Sequence, residues 1–192
     1  HMNLYLIIFK FLFSSNIKFI ARETNVLSLK LTNKFFLNRI NNFLIIFFYK
    51  YFDKIVCQSK DMYNDLNQNY KIDKSNMIII NNPIDYKLFK NKDINTDKKY
   101  KFDILAIGSG LGNQKGFDRL ISLFKYIKNK KIKLAIIGDG KNKEKLNNLI
   151  NKNGFQDRIF MLGLKRNIED YYNNASVIAS TSYYEGFPNI FL

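Results

Sequence analysis

Two charged side chains and three glycine-bearing turns hold what chemistry this sequence offers. The longest turn, Gly108-Ser-Gly-Leu-Gly-Asn-Gln-Lys-Gly116, lies between an apolar, β-rich run and a helical pattern. Glycines at a strand-to-helix junction let backbone N–H groups approach a phosphate closely, and a helix start adds partial positive charge. Lys115 would add a mobile full charge. The loop is not a Walker A loop, because Gly116 and Phe117 follow the lysine where Ser or Thr is required, and its spacing misses the dinucleotide fingerprint. A tight turn with a surface lysine is the plainer alternative. Gly138-Asp139-Gly140 reads as mainly structural, with Asp139 capping a helix and glycine taking positive φ. In Ser182-Tyr-Tyr-Glu-Gly-Phe-Pro-Asn189, Glu185 is expected directly after a strand end, Gly186 exposes backbone amides, and Pro188 suits the first turn of a helix. A carboxylate that accepts sugar hydroxyls beside amides aimed at an anion would suit a phosphorylated sugar; an acidic residue at an ordinary turn is the alternative.

The elements that must position these groups follow from the apolar pattern. Strands are expected at Lys54 to Ser59, Met77 to Ile80, Phe102 to Ile107, Lys133 to Ile137, Arg158 to Leu162 and Ser176 to Ser180. Helices are expected from Lys60 to about Asn69, capped by Ser59, and at Phe117 to Lys128, Lys143 to Asn151 and Ile168 to Asn173. Asn81-Asn82-Pro83 ends the second strand, since proline cannot continue central pairing. Strands that are apolar on both faces and alternate with helices predict an α/β fold: a Rossmann-type parallel sheet with helices on both faces. In such sheets ligands bind at the carboxyl ends of the strands, which is where the glycines fall.

Asn33 to Phe52 combines bulky apolar side chains with Lys34, Arg39 and Lys50 and is expected to form a largely buried helix; a basic, aromatic helix lying in a bilayer interface is the alternative. The apolar stretches Leu4 to Phe13 and Phe43 to Phe52 fall short of the ~20 residues of a spanning helix, and the first lacks the flanks of a signal peptide, so a cytoplasmic location is expected. The chain has 192 residues, 46% of them hydrophobic, enough for a sizeable core and against global disorder. Its one cysteine, Cys57, excludes an internal disulfide framework, and its one histidine, His1, makes histidine catalysis unexpected. A net charge of +15 favours an anionic partner or reflects a solvated basic surface. No motif points to specific nucleic-acid binding.

Taken in order and spacing, GSGLGNQKGFDRLI, IIGDG, RIFMLG and YYEGFPNIFL resemble the C-terminal domain of glycosyltransferase family 4, whose members have the GT-B fold of two Rossmann domains. Upstream, IVCQSKDM and MIIINNPID resemble the end of that family's N-terminal domain and the crossover into the second. The resemblance runs from about Ile20 onward and implies two partial domains: residues 1–86 from the acceptor side, a linker at 87–101, and a nucleotide-sugar-binding part at 102–192.

It also implies a retaining transferase that moves a sugar from a nucleotide diphosphate donor, a UDP-sugar or a similar one, to a lipid-linked or saccharide acceptor, with no metal or other cofactor. Positive side chains and a helix start would neutralise the leaving diphosphate. Lys115 matches the diphosphate lysine and Glu185 the first glutamate of a paired-glutamate motif; these are the expected catalytic residues. Gly108, Ser109, Gly110, Gly186, Phe187, Pro188 and Asn189 would complete the donor site, and Gly163 and Leu164 fall where the nucleotide base lies.

The departures are specific. Ser109 stands where relatives carry an arginine, and Thr24, in Arg22-Glu23-Thr24-Asn25, where they often carry a histidine. The second glutamate would fall one residue past Leu192, and the glycine-rich acceptor-side loop is missing, so the chain resembles the middle of such an enzyme, cut at both ends. An enzyme of polysaccharide or glycolipid assembly, peripheral on the inner face of the plasma membrane through its basic N-terminal third, is the leading expectation. A sugar-nucleotide-binding scaffold without turnover is the alternative.

Overall fold

The computed structural model describes residues 2–13, 16–29, 35–83, 97–108 and 110–191. His1, Ser109 and residues 84–96, which include most of the linker expected at 87–101, lie outside the described residues. The chain divides into two compact units: His1–Pro83 with Tyr184–Asn189, and Ile84–Tyr183 with Ile190–Leu192.

In the first unit, β1 (Ile20–Arg22), β2 (Lys54–Cys57) and β3 (Met77–Ile79) form a parallel sheet in the order β1-β2-β3. Its helices are α1 (Met2–Lys10), α2 (Phe35–Phe48) and α3 (Lys60–Tyr70). β2 is central, so Ile55 and Cys57 are fully buried. As expected, Ser59 opens α3: its backbone is extended and its hydroxyl accepts from the Met62 amide at 3.3 Å. Met62, Leu66 and Tyr70 then recur at helical spacing and pack into a core with Ile7, Ile45, Tyr49 and Phe52. The buried Asp65 is satisfied by the Ser28 amide (3.2 Å) and the Asn69 side chain (2.7 Å).

The N-terminal segment forms a helix whose inner side, Leu4 and Ile7, is buried. Lys10 fixes its end, with Nζ 2.8 Å from Asp53 Oδ2 and 2.6 Å from the Tyr51 carbonyl. The expectation of a largely buried helix near Asn33 to Phe52 is corrected. From Arg39 onward only Ile45 of α2 is buried, while Phe43 is 65% exposed and Ile40, Ile46 and Phe47 are more than 40% exposed. One side of a helix suffices to cover this sheet, and here the other side is apolar as well. No helix among the described residues is long and apolar enough to cross a membrane.

In the second unit, β4 (Ile104–Ile107), β5 (Leu134–Ile137), β6 (Ile159–Gly163) and β7 (Val177–Ile178) form a parallel sheet in the order β6-β5-β4-β7. Between them run α4 (Phe117–Leu123), α5 (Lys143–Lys152) and α6 (Ile168–Asn174). All four residues of β5 are buried, as an inner strand covered on both faces requires. Strand alternation separates two cores. Ala106, Leu134 and Ile136 pack with Phe117, Ile121, Leu146 and Ile150 of α4 and α5. Leu105, Ala135 and Ile137 pack with Tyr100 and Tyr171 of α6. Helices therefore cover both faces, as expected. The helix expected to run to Lys128 instead tightens after Leu123 into a 3-10 turn, Phe124–Tyr126, which carries Phe124 into the first of these cores.

Candidate functional site

The carboxyl ends of three adjacent strands in the second unit form a shelf of backbone. Gly108 follows β4, Gly138 follows β5 and Gly163 closes β6. The Gly108 amide donates to the Ile137 carbonyl and the Gly138 amide to the Gly163 carbonyl, both at 3.0 Å. A side chain on Gly138 would run into the Gly108 carbonyl, and one on Gly140 would lie 2.7 Å from the Leu111 nitrogen, so both positions of this turn need glycine for closeness as well as for positive φ.

The stem of Lys115 lies beside Gly108, at one end of this shelf. A Cβ on Gly108 would be 3.3 Å from Lys115 Cγ and 3.0 Å from the Phe117 ring, so the absent side chain makes room for the lysine stem. The lysine ends a 3-10 turn, Asn113–Lys115, that separates the glycine loop from α4. This narrows the expected phosphate cradle. Leu111 donates its amide to Asp139, Lys115 to Gly112 and Gly116 to Asn113, leaving those N–H groups engaged within the loop.

Thr181 and Arg119, which local sequence reasoning did not single out, hold the turn in place. Thr181 Oγ1 donates to the Gly116 carbonyl (2.8 Å), Arg119 Nη2 donates to the Thr181 carbonyl (2.6 Å), and the Tyr183 amide donates to the Gln114 carbonyl (2.8 Å). The Arg119 guanidinium also stacks 4.1 Å from the Tyr183 ring centre. The chain after β7 is thus laced to the loop after β4.

Two expectations about these turns are corrected. Asp139 does not cap α5, because Gly140, Lys141 and Asn142 intervene and the cap position falls to Asn142. Its carboxylate instead accepts from Lys143 Nζ at 2.9 Å and from the Gly140 amide at 2.8 Å, and these bonds, the lysine's first, hold it below the usual carboxylate range. Glu185 does not follow a strand directly, because β7 ends at Ile178 and the laced segment comes between.

Gly163 adopts φ +70 with open space where a side chain would be, and Leu164 beside it is 69% exposed. Gly110 is also exposed and open.

Tyr184–Asn189 groups with the first unit. Glu185, Phe187 and Pro188 are half-buried there, and Pro188 leads into a 3-10 turn, Asn189–Phe191, rather than an α-helix. A side chain on Gly186 would strike the Thr24 carbonyl and lie 2.9 Å from Met62 Sδ. Asn189 Oδ1 accepts from the side-chain amide of Asn82.

Asn82 belongs to a polar group at the carboxyl ends of β1, β2 and β3. Arg22 Nη2 donates to Asn82 Oδ1 at 2.7 Å, Gln58 lies against both, and Asn81 Nδ2 donates to the Gln58 carbonyl at 2.7 Å. Beside it, Glu23 is 6% exposed and accepts from Asn3 Nδ2 (2.7 Å) and from the Tyr49 hydroxyl. Burial first, and the Glu23 charge second, push the Tyr49 hydroxyl well above its ordinary value, so it stays a donor. Asn3, Arg22, Glu23, Thr24 and Asn25 line an open cleft of about 350 Å3. Of this group only Thr24 had been marked by sequence for a place near the sugar. Asn82 read as a strand terminator, and nothing local signals that Asn3, Arg22, Glu23 and Tyr49 meet.

Comparison with known proteins places these features in a family. Residues 88–192 match the family described as Glycosyl transferases group 1. An uncharacterized glycosyltransferase of Methanocaldococcus jannaschii is 32% identical over 154 residues, covering 74% of this chain and 37% of that protein. The N-acetylgalactosamine-N,N'-diacetylbacillosaminyl-diphospho-undecaprenol 4-alpha-N-acetylgalactosaminyltransferase of Campylobacter jejuni is 29% identical over 182 residues, covering 94% of this chain and 49% of that enzyme. The chain therefore spans about half or less of the length of these relatives. Among solved structures, Anabaena HepE in complex with UDP and glucose aligns with a TM-score of 0.75 at 18% identity, covering 94% of this chain and 50% of that one. The fold is α/β of the GT-B type. Because the family match takes in more than half of its residues, the chain belongs to the glycosyl transferases group 1 family.

Proposed function

We propose that this chain is the part of a family 4 glycosyltransferase that binds a nucleotide-diphosphate sugar, most simply a UDP-sugar, for retaining transfer to a lipid-linked or polysaccharide acceptor. The observation that carries the reading is the stem of Lys115 lying across Gly108 at the carboxyl end of β4. There an ammonium group meets the charge that builds on the departing diphosphate, a role that needs no metal ion or other cofactor. Gly108, Ser109 and Gly110 let the phosphates approach the backbone, and the open edge at Gly163 and Leu164 receives the base. Glu185 accepts hydroxyls of the donor sugar, with Gly186, Phe187, Pro188 and Asn189 beside it.

The Campylobacter relative is named for an undecaprenol-linked acceptor, and HepE was solved with UDP and glucose. The first supports a lipid-borne acceptor and the second a UDP-sugar donor; on this reading the enzyme works at the cytoplasmic side of a membrane.

The test is calorimetric titration of UDP into the wild type and Lys115→Ala. A hydrogen-bonded charge pair contributes enough that the variant should bind about 10- to 100-fold more weakly. Equal affinity would remove Lys115 from the site. Release of free sugar from UDP-sugars on incubation with the wild type, lost in Glu185→Gln, would support turnover at the same place.

A further inference from the structure

The geometry points to the outer face of α1 and α2 as a surface that seats on an anionic lipid bilayer, partly immersed and parallel to it. This refines the lipid-side half of the function proposed above and rests on that reading only for its purpose.

The face is built at helical spacing on both helices. Met2, Tyr5 and Phe9 recur on the outer side of α1, and Ile40, Phe43 and Phe47 on that of α2, all between 41% and 78% exposed. The helices pack on each other, and Phe47 meets Tyr51 at 6.2 Å, while Tyr51 meets Phe11, just past α1, edge-on at 5.4 Å, so aromatic contacts join the ends of the two stripes. Phe43 and Phe47 are stacked at 6.2 Å, each ring ordering the next. An apolar surface of this breadth is uncommon on a chain that meets only water.

Its charge selects the occupant. Neither helix contains an acidic residue. The first 50 residues carry seven Lys and Arg against one acidic residue, Glu23, which is buried. Arg39 and Lys50, both exposed, stand at opposite ends of the α2 stripe. Lys50 holds its ammonium group over the rings, with Nζ 5.0 Å from the Phe47 centre and 5.1 Å from that of Tyr51. A lysine whose ammonium group rests on aromatic rings at the end of an apolar stripe has a flexible stem that lets the charge swing out to phosphate as the rings enter the acyl boundary. A second copy docked face to face would bring cation against cation, whereas anionic headgroups supply the opposite sign. With 14 residues in α2 and no helix among the described residues long and apolar enough to span, the two helices lie in the interface.

Sedimentation with vesicles of phosphatidylcholine alone, or mixed with phosphatidylglycerol, tests this on the full chain. Binding is expected to the mixed vesicles and to fall as salt rises. Phe43→Asp with Phe47→Asp should cut the bound fraction about tenfold or more, and Lys50→Gln about fivefold. Both phenylalanines are well exposed, so circular dichroism of the double variant should match wild type. The chain has no tryptophan, so Phe43→Trp gives a reporter free of background whose emission should shift to the blue on vesicles. No uptake by mixed vesicles, or uptake untouched by the Asp pair, overturns the proposal. So does a wild-type dimer that the Asp pair returns to monomer without any vesicle binding. UDP titration of the double variant keeps the two readings apart: unchanged UDP affinity with lost vesicle binding is expected, whereas vesicle binding without UDP affinity would retain the docking face and discard the donor site.

Discussion

Gly116 joins stability and site in a single residue. It sits at φ +63, closes the turn that ends in Lys115, and leaves no room for a side chain beneath the Thr181 carbonyl. Gly116→Ala should therefore cost about 1–3 kcal/mol of unfolding free energy from backbone strain alone, and more where the Thr181 contact is displaced. Urea denaturation measures the first effect. UDP titration should show weaker binding as well, because moving this turn moves the lysine. Thr181→Val removes the hydroxyl bond to the Gly116 carbonyl while keeping the bulk, and should weaken UDP binding by less than Lys115→Ala does. Equal losses would mean that the lacing, rather than the ammonium group, governs affinity.

Among the elements, α1 and α3 are held by devices that can be removed one at a time. Ser59→Ala strips the N-cap of α3 and should cost about 1 kcal/mol in chemical denaturation. The end of α1 depends on Asp53, whose carboxyl is held below its ordinary range chiefly by the hydrogen bond from Lys10 and then by the Phe19 amide. A carboxyl depressed in the folded state contributes stability that is complete above its unfolded value, near pH ~4, and is lost as pH falls through the folded one. Acidification below that value should loosen α1 before the rest of the unit melts, and Asp53→Asn should abolish that step; hydrogen exchange over residues 2–13 follows it.

These elements also mark what the sequence could disclose. The cap at Ser59, the buried run of β5 and the glycines that end β4, β5 and β6 depend on neighbours a few positions away, and all were legible. The bond from Thr181 to Gly116 spans 65 residues and the one from Asn3 to Glu23 spans 20. Neither leaves a local trace. The exposure of α2 was hidden for a different reason: a helix whose later half, Phe43 to Phe48, is unbroken bulky apolar residues reads as buried, and only the packed sheet reveals that one side was enough to cover it.

For the molecule as a whole, separate cores matter most. The first unit is packed around Ile7, Ile45, Tyr49 and Ile55, and the second around the two faces of β5. Cores that share no buried residues need not melt together, and thermal unfolding is expected to show more than one transition by calorimetry. Cys57 offers a way to assign them. It is fully buried in the first unit, and burial pushes its thiol up to about 11, so the native chain should resist thiol reagents at pH 8. Because it is the only cysteine in the chain, every labelled molecule counts one opening of the first sheet and none of the second. A nucleotide that tightens only the second unit would then raise one melting step while leaving the labelling clock at its former rate, turning a lone sulfur into a gauge of whether the two halves communicate.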